Sequence, residues 1–234
     1  RRAWMTMRDQ ELDTLCVIDG ERNLQGVITV KDVATANMDG IDPNTLRKAG
    51  TSYQNILEIL NGTVLVGDVT GKLVEGRVII GAGSAEQIEN AVSPGDIAIV
   101  SSRSESQLAA LEMDAGCIIV CNESKVPRTI CMLAEEKGCM IITTGMSTYA
   151  AGQIITQAVP IRYFMSAKNL LTFTLNTQVE SATKVMATVR YRYFPVLDED
   201  GKYIGVVSRR NMLNLHKKQL ILVDHNEKSQ AVEG

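Results

Sequence analysis

The stretch GVITVKDVA (Gly26–Ala34) decides the organisation of this chain, because a similar stretch, GVVSRRNML (Gly205–Leu213), stands near the other end. Both read glycine, two branched apolar residues, a hydroxyl residue, two variable positions and Asp or Asn. The similarity extends without a gap over TLCVIDGERNLQGVITVKDVA and YFPVLDEDGKYIGVVSRRNML, which share a polar turn and an alternation of apolar residues. A match of this length predicts an internal repeat that an insertion divides.

Each copy of the repeat predicts a helix, a β-hairpin and a second helix. In the first copy these are RRAWMTMRDQELD, LCVIDGERNLQGVIT and KDVATANM. In the second copy they are ESATKVMATVRYR, FPVLDEDGKYIGVVS and RRNMLNLHKK. Two apolar runs on either side of a polar turn are typical of a hairpin.

The residues between the two copies follow a different pattern. The short apolar runs DIAIV, CIIVC and MIITT alternate with helical stretches, which predicts parallel βαβ units whose sheet is covered on both faces. GAGSAE, from Gly81, lacks the Lys-Ser/Thr ending and the glycine spacing of phosphate-binding loops, so we expect a turn. Thr143, Thr144 and Thr148 either line a crevice at the strand ends or cap the next helix, and we favour the cap.

Composition and charge restrict the partners of the chain. The net charge of -3 over 234 residues gives no general reason to expect nucleic acid or a membrane surface. No apolar run approaches the roughly 18–20 residues of a membrane span, and no signal peptide is visible. The five cysteines stand mostly in apolar runs, without a CxxC pair and with only two histidines. We therefore expect a cytoplasmic protein with reduced thiols and no zinc site.

A β-α-β-β-α unit that ends in Gly-h-h-[Ser/Thr]-x-x-[Asp/Asn] resembles the CBS module, a sensor of adenosine ligands that works in tandem pairs. The resemblance implies that Thr29 and Ser208 contact a phosphate and that Asp32 takes the ribose hydroxyls. A hydroxyl at the start of a helix, beside first-turn N–H groups, favours an anion independently of this resemblance. Asn211 replaces the acid in the second copy, where Arg209 and Arg210 stand beside the hydroxyl instead.

We therefore expect the first copy to favour the ribose and the second to dominate phosphate binding. RYRYFPV would supply aromatic faces for adenine and cations for phosphates, and the stretch Ala167–Asn169 resembles the lead-in to a CBS strand. The alternative for RYRYFPV is an amphipathic edge whose tyrosines pack on the core. The predicted nucleotide-binding residues are Thr29, Lys31, Asp32, Ala167, Lys168, Asn169, Arg190, Arg192, Tyr193, Phe194, Ser208, Arg209, Arg210 and Asn211.

Two further resemblances cover the middle and the end of the chain. PRTICMLAEEKGCMIITTGMSTYAAGQII resembles the DRTGG domain, which we expect to act as a spacer and dimer surface. LILVDHNE resembles the metal-site strand of family II inorganic pyrophosphatases, the manganese-dependent, DHH-type enzymes. The resemblance implies that Asp224 binds Mn²⁺ (or Mg²⁺ or Co²⁺), but only in a full-length parent, because one Asp beside His225 does not assemble a two-metal site.

The predicted fold combines α/β and α+β classes: a tandem CBS pair with an inserted, parallel-sheet DRTGG-like domain. The expected boundaries are a first CBS module at 1–40 that lacks its lead-in strand, a linker at 41–55, the DRTGG-like domain at 56–160, the second CBS module at 161–220 and a pyrophosphatase-like tail at 221–234.

The resemblance implies a regulatory region of an inorganic pyrophosphatase, inhibited by AMP and ADP and activated by ATP or diadenosine polyphosphates. We expect a homodimer formed through the CBS modules, and no catalysis by this chain alone. The alternatives are a structural or dimerisation module that binds no ligand, and a CBS sensor of another adenosine ligand such as S-adenosylmethionine.

Overall fold

The repeat and the insertion form separate units in the computed structural model, which describes residues 2–38, 42–81, 83–123, 125–214 and 231–233. One unit lies within Asp39–Tyr163, and the other combines Arg2–Met38 with Phe164–Gly234. The second unit therefore contains both copies of the repeat, and the insertion forms a unit of its own. No helix in the described stretches has the length and apolar character that crossing a bilayer requires.

The helices and strands alternate along most of the chain. In chain order they are α1 (Arg2–Asp9), β1 (Thr14–Ile18), β2 (Leu24–Thr29), α2 (Val30–Met38), α3 (Thr45–Lys48), α4 (Tyr53–Ile59), β3 (Thr63–Val66), β4 (Val78–Gly81), α5 (Ala85–Ala91), β5 (Ile97–Val100), α6 (Ser104–Glu112), β6 (Cys117–Val120), α7 (Arg128–Lys137), β7 (Met140–Thr143), α8 (Thr148–Ile154), β8 (Phe173–Thr174), α9 (Val179–Thr188), β9 (Tyr193–Leu197), β10 (Tyr203–Ser208), α10 (Arg209–Asn214) and β11 (Ala231–Glu233). Short 3-10 turns occupy Ile155–Ala158 and Ile161–Tyr163.

Both copies of the repeat contain the predicted hairpin, in the same register. Thr14 pairs with Thr29 across β1 and β2, and Tyr193 pairs with Ser208 across β9 and β10. These pairs occupy equivalent positions in the gap-free alignment of the two copies. The alternation of apolar residues therefore fixed the register of both hairpins, because a slip by one residue would turn the apolar set toward solvent.

A third strand completes each of these sheets at the same place. In the second copy β8 runs parallel to β9, with Phe173 opposite Val196. In the first copy β11 runs parallel to β1, with Val232 opposite the equivalent residue, Val17. The sequence predicted no such strand in the first copy and placed the tail outside it. An open edge of β1 presents unpaired N–H and C=O groups, and a short segment from elsewhere in the chain satisfies them.

The two copies share a small apolar cluster. Cys16 and Ile18 from the first copy pack with Tyr203 and Val206 from the second. Burial raises the pKa of the Cys16 thiol to about 12, although a hydrogen bond with Tyr203 opposes the rise. Asn23 and Lys202, which are equivalent under the repeat, form a bridge between the copies, and Lys202 Nζ donates to Asn23 Oδ1 at 2.8 Å. Contact between equivalent residues is what a pseudo-twofold arrangement produces.

The inserted domain is built on one mixed sheet of order β3-β7-β6-β5-β4. Strands β4 to β7 are parallel, and β3 pairs antiparallel with β7. Every residue of β5 and β6 is buried, as continuous apolar runs in a covered parallel sheet require. Because β4, β5, β6 and β7 are adjacent in chain order, these parallel strands contain no reversal of strand order, where ligands usually bind in such sheets.

A buried carboxylate joins the loops at one end of this sheet. Asp96 is 3% exposed and accepts bonds from the backbone N–H of Arg77 at 2.8 Å and of Ser93 at 2.9 Å. Its other contact is with the Arg77 guanidinium, 2.6 Å from Nη2 to Oδ2. A Cβ on Gly76 would lie 2.0 Å from the carbonyl oxygen of Gly95, so only glycine fits at that position.

The helix starts of the inserted domain and the stretch before it differ in detail from the predictions. GAGSAE, predicted as a turn, begins with the last residue of β4 and ends in the first residues of α5, where Ser84 and Gln87 form a capping box. Ser147 caps α8, whereas Thr144 Oγ1 donates to the carbonyl of Leu60 at 2.7 Å. The cap that we assigned to the threonines therefore belongs to the neighbouring serine. The stretch predicted as a linker, 41–55, includes α3 and the first turn of α4.

Candidate functional site

The hydroxyl of the first repeated motif is the N-cap of α2. Thr29 Oγ1 donates to Asp32 Oδ2 at 2.7 Å, and the backbone N–H of Thr29 donates to the same oxygen at 2.8 Å. The backbone N–H of Asp32 lies 3.3 Å from Thr29 Oγ1. These reciprocal bonds are those of a capping box, with Asp at the position that Glu or Gln often takes. Both of these bonds go to the Oδ2 atom of Asp32, and the ribose role of this carboxylate stays a prediction.

The second copy repeats this cap with an amide in place of the acid. Ser208 Oγ donates to Asn211 Oδ1 at 2.6 Å, and the backbone N–H of Asn211 donates back to Ser208 Oγ at 3.1 Å. Ser208 is only 5% exposed. The spacing of a hydroxyl and an Asp or Asn three residues later therefore has a structural cause in both copies, and the ligand roles of these residues stay predictions.

The two arginines after Ser208 have different surroundings. Arg209 Nη2 donates to the backbone carbonyls of Met186 and Val189, at the end of α9. Arg210 is exposed and is the arginine of the pair that reaches solvent. Phosphate contact by both arginines remains a prediction, but the geometry favours Arg210 for it.

The RYRYFPV segment divides into an exposed and a buried part. Arg190, Tyr191 and Arg192 are exposed, whereas Phe194 is 0% exposed and packs on Phe173 with ring centroids 5.4 Å apart. The exposed aromatic ring is Tyr191, which is absent from the predicted set; it is 56% exposed and meets Phe194 edge to face. The alternation along β9 could have predicted the burial of Phe194, since Phe194 and Val196 lie on the same inward face of the strand.

The rest of the predicted aromatic set lies between the two copies. Tyr193 is half-buried and packs against the cluster that both copies share, which matches the alternative of tyrosine packing on a core. Both faces of β9 are therefore covered, and the solvent-facing chemistry of this segment is confined to the three residues before the strand.

The lead-in segment Ala167–Asn169 starts at the sheet of the first copy. Ser166 exchanges two backbone bonds with Val27 on β2, of 2.9 and 2.8 Å. A Cβ on Gly26 would lie 2.6 Å from Met165 Sδ, so the first residue of the repeated motif gives room for this crossing. Lys168 and Asn169 are exposed. They belong to the second copy in sequence, although the residue Ser166 just before them bonds to β2 of the first copy.

The charges around the two capped turns have opposite signs. Arg190 and Arg192 are exposed before β9, and the equivalent residues before β1 are Glu11 and Asp13, which are also exposed. Lys31 is the exposed cation of the first turn. Basic surface groups attract phosphate, and the expectation that the second copy dominates phosphate binding stays a prediction.

A cavity in the repeat unit lies away from these turns. It has a volume of about 340 Å³, lies beside the β9–β10 turn and is lined by Thr174, Leu175, Asn176, Asp198, Glu199 and Asp200. Its acidic lining repels phosphate. No group of three His, Cys, Asp or Glu residues in the described ranges is arranged to hold a metal. The whole LILVDHNE stretch, with Asp224 and His225, lies outside the described residues.

Comparison with known proteins identifies both parts of the chain. The DRTGG domain family matches residues 55–158, and the CBS domain family matches residues 1–39 and 161–218. The cobalt-dependent inorganic pyrophosphatase of Clostridium perfringens is 34% identical over 234 residues, which are 100% of this chain and 43% of that enzyme. The probable manganese-dependent inorganic pyrophosphatase of Thermotoga maritima is 28% identical over 230 residues, which are 98% of this chain and 42% of that enzyme.

A solved structure agrees with the fold of nearly the whole chain. It contains the CBS and DRTGG domains of the regulatory region of Clostridium perfringens pyrophosphatase, complexed with the activator diadenosine tetraphosphate. The TM-score is 0.83 at 32% identity, over 89% of this chain and 90% of that one. The predicted fold class is thereby confirmed, and the chain spans less than half of the two pyrophosphatases that it matches. This chain belongs to the CBS–DRTGG–CBS regulatory regions of family II inorganic pyrophosphatases.

Proposed function

We propose that this chain binds adenine nucleotides at its paired CBS modules and so regulates an inorganic pyrophosphatase that hydrolyses diphosphate to phosphate. The observation that carries the proposal is the duplicated capped turn, Thr29–Asp32 and Ser208–Asn211, with arginines concentrated around the second copy. The bound activator in the related regulatory region supports the choice of an adenine nucleotide.

The residues divide the ligand between them in this proposal. Asp32 accepts the ribose hydroxyls, because its carboxylate makes stronger hydrogen bonds than the Asn211 amide. Arg190, Arg192 and Arg210 hold phosphate oxygens through their planar guanidinium groups. Tyr191 offers the ring on which adenine stacks.

The number of phosphates sets the direction of regulation in this proposal. AMP and ADP inhibit, and ATP or diadenosine polyphosphates activate, because a longer phosphate chain reaches further into the basic surface. Two copies of the chain form a homodimer through their CBS modules, and a dinucleotide bridges their second turns. A ligand changes activity only through the difference between its affinities for two arrangements of the modules. A coupling free energy of about 1–3 kcal/mol changes an affinity by a factor between about five and a hundred.

Calorimetric titration of the chain with AMP, ADP, ATP and diadenosine tetraphosphate tests the proposal. We expect all four to bind, and Arg210→Ala to weaken ATP and the dinucleotide more than AMP. Arg128→Ala is the matched control, because Arg128 is an exposed arginine of the inserted domain. Absence of heat with every nucleotide from a folded chain would favour the purely structural module, and binding of S-adenosylmethionine alone would favour the other sensor.

Catalysis and its metal belong to the longer parent protein in this proposal. Mn²⁺, or Mg²⁺ or Co²⁺ in its place, would be bound there, with Asp224 among the ligands. We expect this chain alone to release no phosphate from diphosphate when Mn²⁺ is added. Nucleotide-dependent activity of the parent, lost after Arg210→Ala but kept after Arg128→Ala, would connect the modules to the enzyme.

A further inference from the structure

We propose that Arg209 positions the segment Arg190–Arg192 for ligand binding at the second module without contacting the phosphates of the ligand. The inference rests on the proposed nucleotide binding and deepens it by separating the two arginines of the SRR sequence. Its basis is the set of bonds that Arg209 makes to the end of α9 and to the chain that follows this helix.

The end of α9 has carbonyl groups that its own backbone does not cap. The residue after the helix, Val189, is extended, with φ -124° and ψ 161°, so the chain leaves the helix without a left-handed turn. The Arg209 guanidinium donates to the carbonyls of Met186 and Val189. A cation at this place also suits the partial negative charge of a helix C-terminus.

The first module closes the equivalent helix differently. Glu11 is left-handed, with φ 53°, and the backbone N–H of Leu12 donates to the carbonyl of Met7 at 2.7 Å. The N–H of Glu11 donates to the carbonyl of Arg8 at 3.3 Å. These bonds form a Schellman motif, which needs no side chain. The equivalent of Arg209 there is Val30, which has no donor on its side chain.

A main-chain bond is common to both modules. The N–H of Arg209 donates to the carbonyl of Arg192 at 2.8 Å, and the N–H of Val30 donates to the carbonyl of Asp13 at 3.0 Å. In the second module Arg209 therefore holds both ends of the exposed segment. Its side chain donates to Val189, and its backbone N–H donates to Arg192.

The Arg209 side chain is partly buried, and its guanidinium bonds within the chain. Arg209 Nε is buried and has no acceptor in the part of the chain that the structure describes. Its Nη2 atom is used twice on carbonyls, whereas the neighbouring Arg210 is exposed. Arg209 therefore sets where Arg190, Tyr191 and Arg192 stand, and Arg210 is the member of the pair that meets the ligand.

The test compares Arg209→Ala and Arg209→Lys with Arg210→Ala, using adenosine and ATP as ligands at two salt concentrations. For Arg209→Ala we expect the Kd values of both ligands to rise by the same factor, about tenfold for one lost contact of ordinary size, with unchanged salt dependence. Arg209→Lys keeps a donor and restores part of the loss for both ligands. Arg210→Ala leaves adenosine binding unchanged and weakens ATP, with a smaller salt dependence.

Amide hydrogen exchange without ligand gives a second readout, which does not depend on the proposed function. We expect Arg209→Ala to speed exchange in the last turn of α9 and in residues 190–192, and to leave the β9–β10 hairpin unchanged. Loss of ATP binding alone, with adenosine binding retained, would overturn the inference. Unchanged hydrogen exchange in residues 186–192 of Arg209→Ala would also overturn it, even if the unsubstituted chain bound no nucleotide. If Arg209→Ala does not fold, Arg209→Lys decides by the same two measurements.

Discussion

The two CBS modules share their hairpins and helix starts, and they differ in the charged residues beside those helix starts. Thr29 with Asp32 and Ser208 with Asn211 form the same reciprocal cap. Exposed residues before the central strand are acidic in the first module and basic in the second. Local backbone requirements thus hold the repeated motif constant, because an uncapped helix start leaves N–H groups without partners. The positions free of that requirement are where the two modules have diverged.

The largest expected effect is a loss of stability in the inserted domain, which contains neither copy of the repeat. Replacing Asp96 by Ala removes the acceptor of two backbone N–H groups and the carboxylate partner of the Arg77 guanidinium. The guanidinium keeps its bonds to the carbonyl of Ala91 and to Ser93 Oγ. We expect a loss of about 3–5 kcal/mol in the free energy of unfolding of this domain. Chemical denaturation followed by far-UV circular dichroism measures it. Equal nucleotide affinities before and after the change would show that ligand binding by the CBS modules does not depend on this carboxylate of the inserted domain.

The same carboxylate makes the stability of the inserted domain depend on pH. Burial by itself raises the pKa of Asp96, but the bonds from Arg77 and Ser93 outweigh it and leave the pKa below its ordinary value. The stabilisation is therefore complete above the unfolded pKa of about 3.9 and is lost as the pH falls through the lower, folded pKa. Unfolding curves between pH 2 and pH 6 should show this loss in the parent chain, and Asp96→Asn should remove it.

The caps provide the next effect, and it should be similar in both modules. Thr29→Ala and Ser208→Ala each remove a side-chain acceptor from a helix start, which costs about 1 kcal/mol. Thr29→Ser is the matched control, since it keeps the hydroxyl. Thermal unfolding of the three variants measures the costs. A cost confined to one module would contradict the common structural origin of the motif.

Exchanging the acid and the amide should move ligand preference between the modules with a smaller effect on stability. Asp32→Asn should weaken adenosine several-fold, because an amide binds ribose hydroxyls without charge assistance. Asn211→Asp should weaken ATP by bringing a negative charge to the phosphates. Titration of both ligands into both variants measures the exchange. Unchanged ATP affinity in Asn211→Asp would place the phosphates away from the second turn.

The smallest effect concerns the contact between equivalent residues of the two modules. Lys202→Ala removes the bond from Lys202 Nζ to Asn23 Oδ1, at a side chain that is 34% exposed. A partly exposed contact of this kind contributes less than about 1 kcal/mol. Lys184→Ala is the control, because Lys184 pairs with Glu180 inside one helix. Denaturant midpoints should fall more for Lys202→Ala than for the control, and equal midpoints would remove this contact from the pairing of the modules.

Much of the secondary structure was predictable because it depends on neighbours in sequence. Both hairpins and the strands of the parallel sheet followed from alternation and from continuous apolar runs. The candidate site was less predictable, since exposure depends on packing: Phe194 lies in the core, while Tyr191 is the exposed ring. The serine that caps α8 stands beside the threonines that we preferred, because the exact start of a helix depends on the strand that precedes it.

Spacings of a few residues specify the repeat, its hairpin register and the hydroxyl that starts each helix. The roles of the residues beside the hydroxyl depend instead on contacts with distant parts of the chain. Arg209 and Arg210 are chemically identical neighbours, yet one caps a helix about twenty positions earlier in the chain and the other faces solvent. The carbonyls at the end of α9 account for this difference, because a helix end without a backbone cap takes its hydrogen-bond donors from elsewhere.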